Sequence, residues 1–241
     1  MANNVTNIIT FRELPIEKIR QIMESIKKDT EGLGSIDFNK IVPMPDTVFK
    51  GNLGAEERNI YGTNNWLDWS LENWNTKWNA YDSIPYSDAC VMDKSLEEKP
   101  KATDSRIRNL IKNFADSGDQ LTYDEAKGVF YNEADFGEIE LPDIADALVF
   151  HTAWSAPHPV LKQLSKNYPE ALIEHQWYDE AMGFNVGVHE YINGEAAYEY
   201  IPCDGSKEAY ELAAEIQGED LEALGYVLSD DGLTYDYAEE D

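Results

Sequence analysis

Apolar and polar positions along this chain follow two periods, one near 2 and one near 3.6, and the switches between them predict most of its elements. Val5 to Phe11 is rich in β-branched residues and predicts a first strand. After Pro15, residues Ile16, Ile19, Met23 and Ile26 recur at helical spacing through Lys27 and Lys28, and Gly32 and Gly34 stop the run. Ile36 to Val42 reads as a second extended segment, ended by Pro43-Met44-Pro45, so the expected opening order is strand, helix, strand. Residues 46–63 show no period and are expected to form an irregular loop. Asn64 or Asn65 can cap a short helix with Trp66, Trp69, Ser70 and Asn73 on one face. Asn75 reads as its stop, because Asn tolerates the left-handed conformation. Thr76 to Tyr81 is then expected to be extended, with Trp78 and Ala80 on one side.

The second half is more regular. Ala147 to Trp154 reads as a strand, and Pro157 opens a helix with Val160, Leu161, Leu164 and Tyr168 in register. Ala171 to Tyr178 alternates as another strand. Asn185 to Ile192 and Ala196 to Ile201 flank Asn193-Gly194, a hairpin signal. Ser206 to Gln217 reads as a last helix before a very acidic end.

Between the halves, residues 92–143 read as an insertion. Asp104 can cap a helix carrying Ile107, Leu110, Ile111 and Phe114, and Thr122 to Glu125 forms a capping box before Val129 and Phe130. A helical hairpin laid against the sheet is expected there. Asp116 to Glu125 is similar to the second half of a calcium-binding loop. Its first ligand position would fall on Phe114 and its turn glycine on Asp119, so the run reads as a turn and cap.

Four of the six tryptophans, Trp66, Trp69, Trp74 and Trp78, fall between Asn64 and Ala80. Side chains of this size each bury ~150 to 250 Å², so the stretch is expected to form core. A base-stacking platform would need a basic groove, and the charge has the wrong sign.

That charge is extreme, at −28 from 19 basic and 47 acidic residues. Such a surface repels phosphate backbones and anionic lipid, so direct binding to nucleic acid or membrane is disfavoured and basic partners are favoured. The excess is concentrated: from Asn167 to Asp241 there are 20 acidic residues and one basic one, Lys207. An asymmetry of this kind marks an interaction surface or an acidic tail.

Motifs for chemistry are few. Cys90 and Cys203 have no CxxC spacing, which speaks against a disulfide framework or structural zinc. His151, His158, His175 and His189 show no HxH or HExxH spacing, and the sequence offers no reason for them to converge. No GxSxG, Walker loop or GxGxxG occurs, so no catalytic residue, metal or cofactor is assigned. The start lacks a basic n-region before an apolar run, and no stretch approaches the roughly 20 apolar residues of a membrane span, so a cytoplasmic location is expected.

Three blocks carry a resemblance: Phe38 to Pro45 (FNKIVPMP), Glu72 to Ala80 (ENWNTKWNA) and Thr152 to Pro157 (TAWSAP). With Leu164-Ser165, Tyr168-Pro169 and the series Tyr178, Glu180, Gly183, Phe184 and Gly187, the chain resembles the YubB-type ferredoxin-like domain family over about 1–90 and 146–200. The resemblance implies an α+β fold in a phage or plasmid product: an antiparallel sheet with helices packed on one face, here with the inserted hairpin and an acidic C-terminal extension. Residues 1–202 would form the domain and 203–241 a helical extension. The family carries no established reaction or cofactor. The chain departs from its pattern at Asn75, where Gly is typical, and at Ala156, where Pro is usual.

Three function classes follow as expectations. The first is a non-enzymatic, anti-defence inhibitor of anti-CRISPR or anti-restriction type, mimicking DNA to occupy a basic, nucleic-acid-binding surface of a host protein. Its contacts would be Glu219, Asp220, Glu222, Asp230, Asp231, Asp236, Glu239, Glu240 and Asp241, with Glu133, Asp135, Glu138 and Glu140. The second is a small-molecule binder or enzyme whose tryptophan-lined pocket uses Trp154, Tyr178, Asn73, Lys77 and Glu180. The third is a self-associating structural protein, a homo-oligomer joined through a less acidic face.

Overall fold

The computed structural model describes residues 2–85 and 147–238. The helical hairpin expected over 92–143 lies outside them. Six strands form one sheet: β1 (Asn4–Arg12), β2 (Tyr81–Pro85), β3 (Ala147–Ala153), β4 (Leu172–Asp179), β5 (Gly187–Ile192) and β6 (Glu195–Tyr200). Their order is β2-β3-β1-β4-β5-β6, with every neighbouring pair antiparallel. Helix α1 (Ile16–Ile26) follows β1, and α4 (His158–Asn167) follows β3. The first four strands therefore build two interlocked βαβ units, the ferredoxin-like arrangement, and the β5–β6 hairpin widens the sheet beyond β4. Short helices α2 (Ala55–Tyr61) and α3 (Trp66–Asn73) lie between α1 and β2.

Alternation decides which face is core. Along β1, Val5, Asn7, Ile9 and Phe11 are buried on one face, while Ile8 points to the other. The first face is covered by α1, through Ile19, Ile22, Met23 and Ile26, and by α4, through Val160, Leu161 and Leu164. Each such side chain contributes roughly 1.5 to 3 kcal/mol on burial. A further helix, α5 (Lys207–Gln217), lies on the opposite face, where Ala209, Ala213 and Ile216 meet Val186, Ile8, Tyr178 and Val188. The expected α+β class and antiparallel sheet hold, and α5 adds a layer on the second face. After α5 comes a two-stranded ribbon, β7 (Tyr226–Leu228) with β8 (Tyr235–Tyr237), which the hydrophobic pattern did not predict.

The predicted strand over Ile36 to Val42 does not form. Asp37 instead accepts from the Asn39 backbone N–H at 3.0 Å and opens a 3-10 turn, Phe38–Lys40, whose Phe38 is fully buried. Helix α2 occupies part of the expected loop. It lacks any buried side chain, so no apolar stripe could reveal it, and its local signals are Glu57 closing on the Gly54 N–H and Gly62 at its end. Asn65 caps α3 by accepting from Leu67 and Asp68, as expected.

The tryptophan stretch is only partly core. Trp74 is 3% exposed, packs edge-on against Phe38 and Trp69, and donates its indole N–H to the Val42 carbonyl at 2.9 Å. Trp66 and Trp69 are half-buried. Residues 76–80 bend rather than extend, so Ala80 points inward while Trp78 is 40% exposed.

Candidate functional site

The acidic C-terminal segment is built on a fixed base. Ser206 caps α5 by accepting from Ala209, and Gly218 ends the helix in the left-handed region, at φ 66°. With Ala209, Ala213 and Ile216 facing the sheet, Glu208, Glu211 and Glu215 are exposed on the outer side. The β7–β8 ribbon is held to α5 by Tyr210, whose ring lies 5.3 Å from that of Tyr226 and 5.7 Å from that of Tyr235. Lys207 donates its backbone N–H to Leu233 at 2.8 Å, and Thr234 Oγ1 donates to the Gly205 carbonyl at 2.6 Å.

This unit carries six of the expected contact residues. Glu219, Asp220 and Glu222 are exposed in the turn after α5, Asp230 and Asp231 at the ribbon's tip, and Asp236 on β8. Asp231 accepts from the Leu233 backbone N–H and the Ser229 hydroxyl, and these bonds hold its carboxyl below the usual range. Glu133, Asp135, Glu138, Glu140, Glu239, Glu240 and Asp241 lie outside the described residues. Glu208, Glu211 and Glu215 were missed as candidates, although the spacing of Ala209, Ala213 and Ile216 already places them outward.

The expected tryptophan pocket assembles only in part. Asn75 stands at φ 61° and donates to the Ala156 carbonyl, and Ser155 Oγ donates back to the Asn75 carbonyl. Thr76 Oγ1 donates to the Ala153 carbonyl at 2.7 Å, which clamps this segment onto the end of β3. Lys77 Nζ then lies 4.4 Å from the ring centre of Trp78 and 4.8 Å from that of Trp154. Tyr178 is elsewhere, packed under α5, and Asn73 bonds back to Trp69 within its own helix. Glu180 accepts from Asn4.

A third constellation was not expected. His158, His175 and His189, read as unconnected, come together around Trp177 and Tyr191. His175 and His189 are cross-strand partners on β4 and β5, and His158, the first residue of α4, lies over them. The His158 ring is 5.6 Å from that of His175 and 4.7 Å from that of His189. His158 Nδ1 and His189 Nδ1 each lie 2.8 Å from the Tyr191 hydroxyl. A phenol has one proton to give, so one imidazole accepts it and the other donates its own N–H to the oxygen. The Glu199 carboxylate, 3.8 Å from His189 Nε2, favours a proton on that nitrogen. His189 Nδ1 is then the acceptor and His158 the donor.

His175 Nε2 is 3.0 Å from Asn7 Oδ1, while the Asn7 amide donates to Thr152 Oγ1 and the Val5 carbonyl. His175 therefore donates through Nε2, and its buried Nδ1 has no hydrogen-bond partner, nor has His189 Nε2, whose Glu199 neighbour lies beyond hydrogen-bond distance. Desolvation lowers all three histidine pKa values, that of His158 to about 4, and burial also raises that of Tyr191. The cluster is thus a neutral, hydrogen-bonded part of the interior. Among the described residues, no group of three His, Cys, Asp or Glu side chains is arranged to hold a metal ion. No described helix is long and apolar enough to cross a membrane.

Neither curated proteins nor solved structures yield a match to the chain. A family model does: residues 130–222 match the one described as "Ferredoxin-like domain in Api92-like protein". The match shares residues 146–200 with the second region of the resemblance drawn from the sequence blocks, and over β3 to α5 the chain is similar to that ferredoxin-like family.

Proposed function

We propose that this chain is a non-enzymatic binding protein whose acidic C-terminal face occupies a basic, nucleic-acid-binding surface of another protein. The observation that carries this reading is the exposure of Glu219, Asp220, Glu222, Asp230, Asp231 and Asp236 on a unit tied down by the α5 core and the Tyr210 contacts. Carboxylates held on a rigid base keep their field without an ordering cost at each encounter, which favours fast, salt-sensitive association. The resemblance to phage and plasmid proteins makes a host nuclease of a defence system the fitting partner, with DNA mimicry as the mode of inhibition.

The test is capture from host lysate at low salt, followed by elution with duplex DNA. A nucleic-acid-binding protein should be retained and then released by DNA or by raised salt. Converting the six acids to Asn and Gln should abolish capture. Retention of the same protein by the neutralised variant, or failure of DNA to compete, would sink the reading.

A further inference from the structure

Lys77 differs from the other described cations in lying against two aromatic rings at once. Its ammonium has no carboxylate within ion-pair distance among the described residues and instead sits against two indole rings, 4.4 Å and 4.8 Å away. Those rings come from segments 76 residues apart, Trp78 and Trp154, and each stays about two-fifths exposed. Tryptophans that served only as core would be covered.

The backbone is held in a costly form to present them. Trp154 stands at φ 80°, a region that a bulky side chain rarely adopts, and strain of this kind collects at ligand clamps. It is fixed from both sides: its N–H donates to the Asn3 carbonyl at 3.0 Å, and its carbonyl accepts from Asn185 at 3.2 Å. Asn185, itself at φ 47°, is anchored on Asp179, a buried carboxylate. Opposite, the clamp of Asn75, Ser155 and Thr76 sets Trp78.

From this geometry we infer that Trp78 and Trp154 form a binding site for an alkylammonium group, in which Lys77 is a resident stand-in that the ligand displaces. The slot fits an ammonium because it already holds one, and indole faces are the strongest aromatic partners for such a cation. Lys77 is a suitable placeholder: without an ion pair it is held only by weak exposed contacts, and its flexible stem can swing aside. The acidic surroundings raise the local concentration of cationic ligands. A methylated or quaternary ammonium loses less hydration than a primary one on entering, so it should compete best. This site is independent of the acidic C-terminal face.

The experiment follows the indole N–H resonances of Trp78 and Trp154, assigned with Trp78→Phe and Trp154→Phe, during titration with tetramethylammonium chloride against matched sodium chloride. In Lys77→Ala both resonances should shift saturably, with at least tenfold tighter binding than wild type, and adding Trp154→Ala should abolish the response. If Lys77→Ala fails to fold by circular dichroism, Lys77→Gln serves in its place. A trimethyllysine peptide bound more tightly than tetramethylammonium would identify a protein ligand; equal binding would identify a free small cation. Absence of a saturable shift in the lysine variant, or a response that survives loss of Trp154, would overturn the inference.

Discussion

His158 and His189 share one hydroxyl: Nδ1 of each lies 2.8 Å from the oxygen of Tyr191, so the phenol donates to one imidazole and accepts from the other. Protonating His189 removes its acceptor nitrogen and breaks that link, and a proton on either ring places a charge where burial opposes it, with Lys162 adding repulsion and only Glu199 favouring charge, at His189. The folded pKa of His158, about 4, lies below the unfolded value, so the unfolded chain binds more protons as pH falls through 6.5. Stability is therefore complete above that pH and is lost on acidification toward the folded value. Between pH 7.5 and 5, His158 alone should cost about 2 kcal/mol. Urea midpoints at the two pH values measure this, and His158→Gln should reduce the difference while His175 and His189 keep the remainder.

Asn7 is fully buried on β1 and supplies the acceptor for His175. Asn7→Ala leaves both nitrogens of that imidazole without a partner and also removes the donor to Thr152. A loss of about 2 to 4 kcal/mol in chemical denaturation is expected. A loss below ~1 kcal/mol would mean that the cluster tolerates unpaired polar atoms.

Gly187 faces Trp177 across β4 and β5, and a Cβ there would lie 2.4 Å from the indole Cζ2 and 3.0 Å from the Tyr200 carbonyl oxygen. Gly187→Ala should push the indole out of the histidine cluster and destabilise by about 1 to 3 kcal/mol. A displaced Trp177 fluorescence signal would report the same event.

At Asn75 the backbone is left-handed, which accounts for tolerance of Asn where the resembling family has Gly. Asn75→Gly keeps the conformation and loses one bond to Ala156, so a change of about 1 kcal/mol is expected. Asn75→Val adds β-branched strain at positive φ and should cost at least ~2 kcal/mol. Thermal denaturation of the pair distinguishes conformation from hydrogen bonding.

Ala213 is 1% exposed where α5 meets the sheet. Ala213→Asp buries an unpaired carboxylate there and should detach α5 and its ribbon, at a cost of roughly 3 kcal/mol or more. Proteolysis near Cys203, which is exposed, should then outpace cleavage of wild type.

Signals confined to a few neighbouring residues were legible in the chain. Asn193-Gly194 made its hairpin, both residues at positive φ, and Asn65 capped its helix. The α4 stripe of Val160, Leu161 and Leu164 met the sheet as its spacing required. Ile36 to Val42 misled because its apolar residues serve a turn closed by the Asp37 side chain, and turn chemistry competes with strand propensity without changing the apolar count. Trp78 misled in the opposite sense: aromatic size predicts burial, but the bend after Asn75 aims it outward.

The sequence by itself determined most element positions and the acidity of the C-terminal third, because each depends on local periodicity, capping or composition, and the resemblance of its motif blocks implied the ferredoxin-like class. Tertiary structure alone decided which side chains meet. The β4–β5 register sets His175 opposite His189, and α4 brings His158 above them. The end of β3 carries Trp154 to Lys77, and α5 holds the acidic ribbon on the second face of the sheet. No spacing rule anticipates these encounters, because they depend on strand pairing and helix docking between residues far apart in the chain.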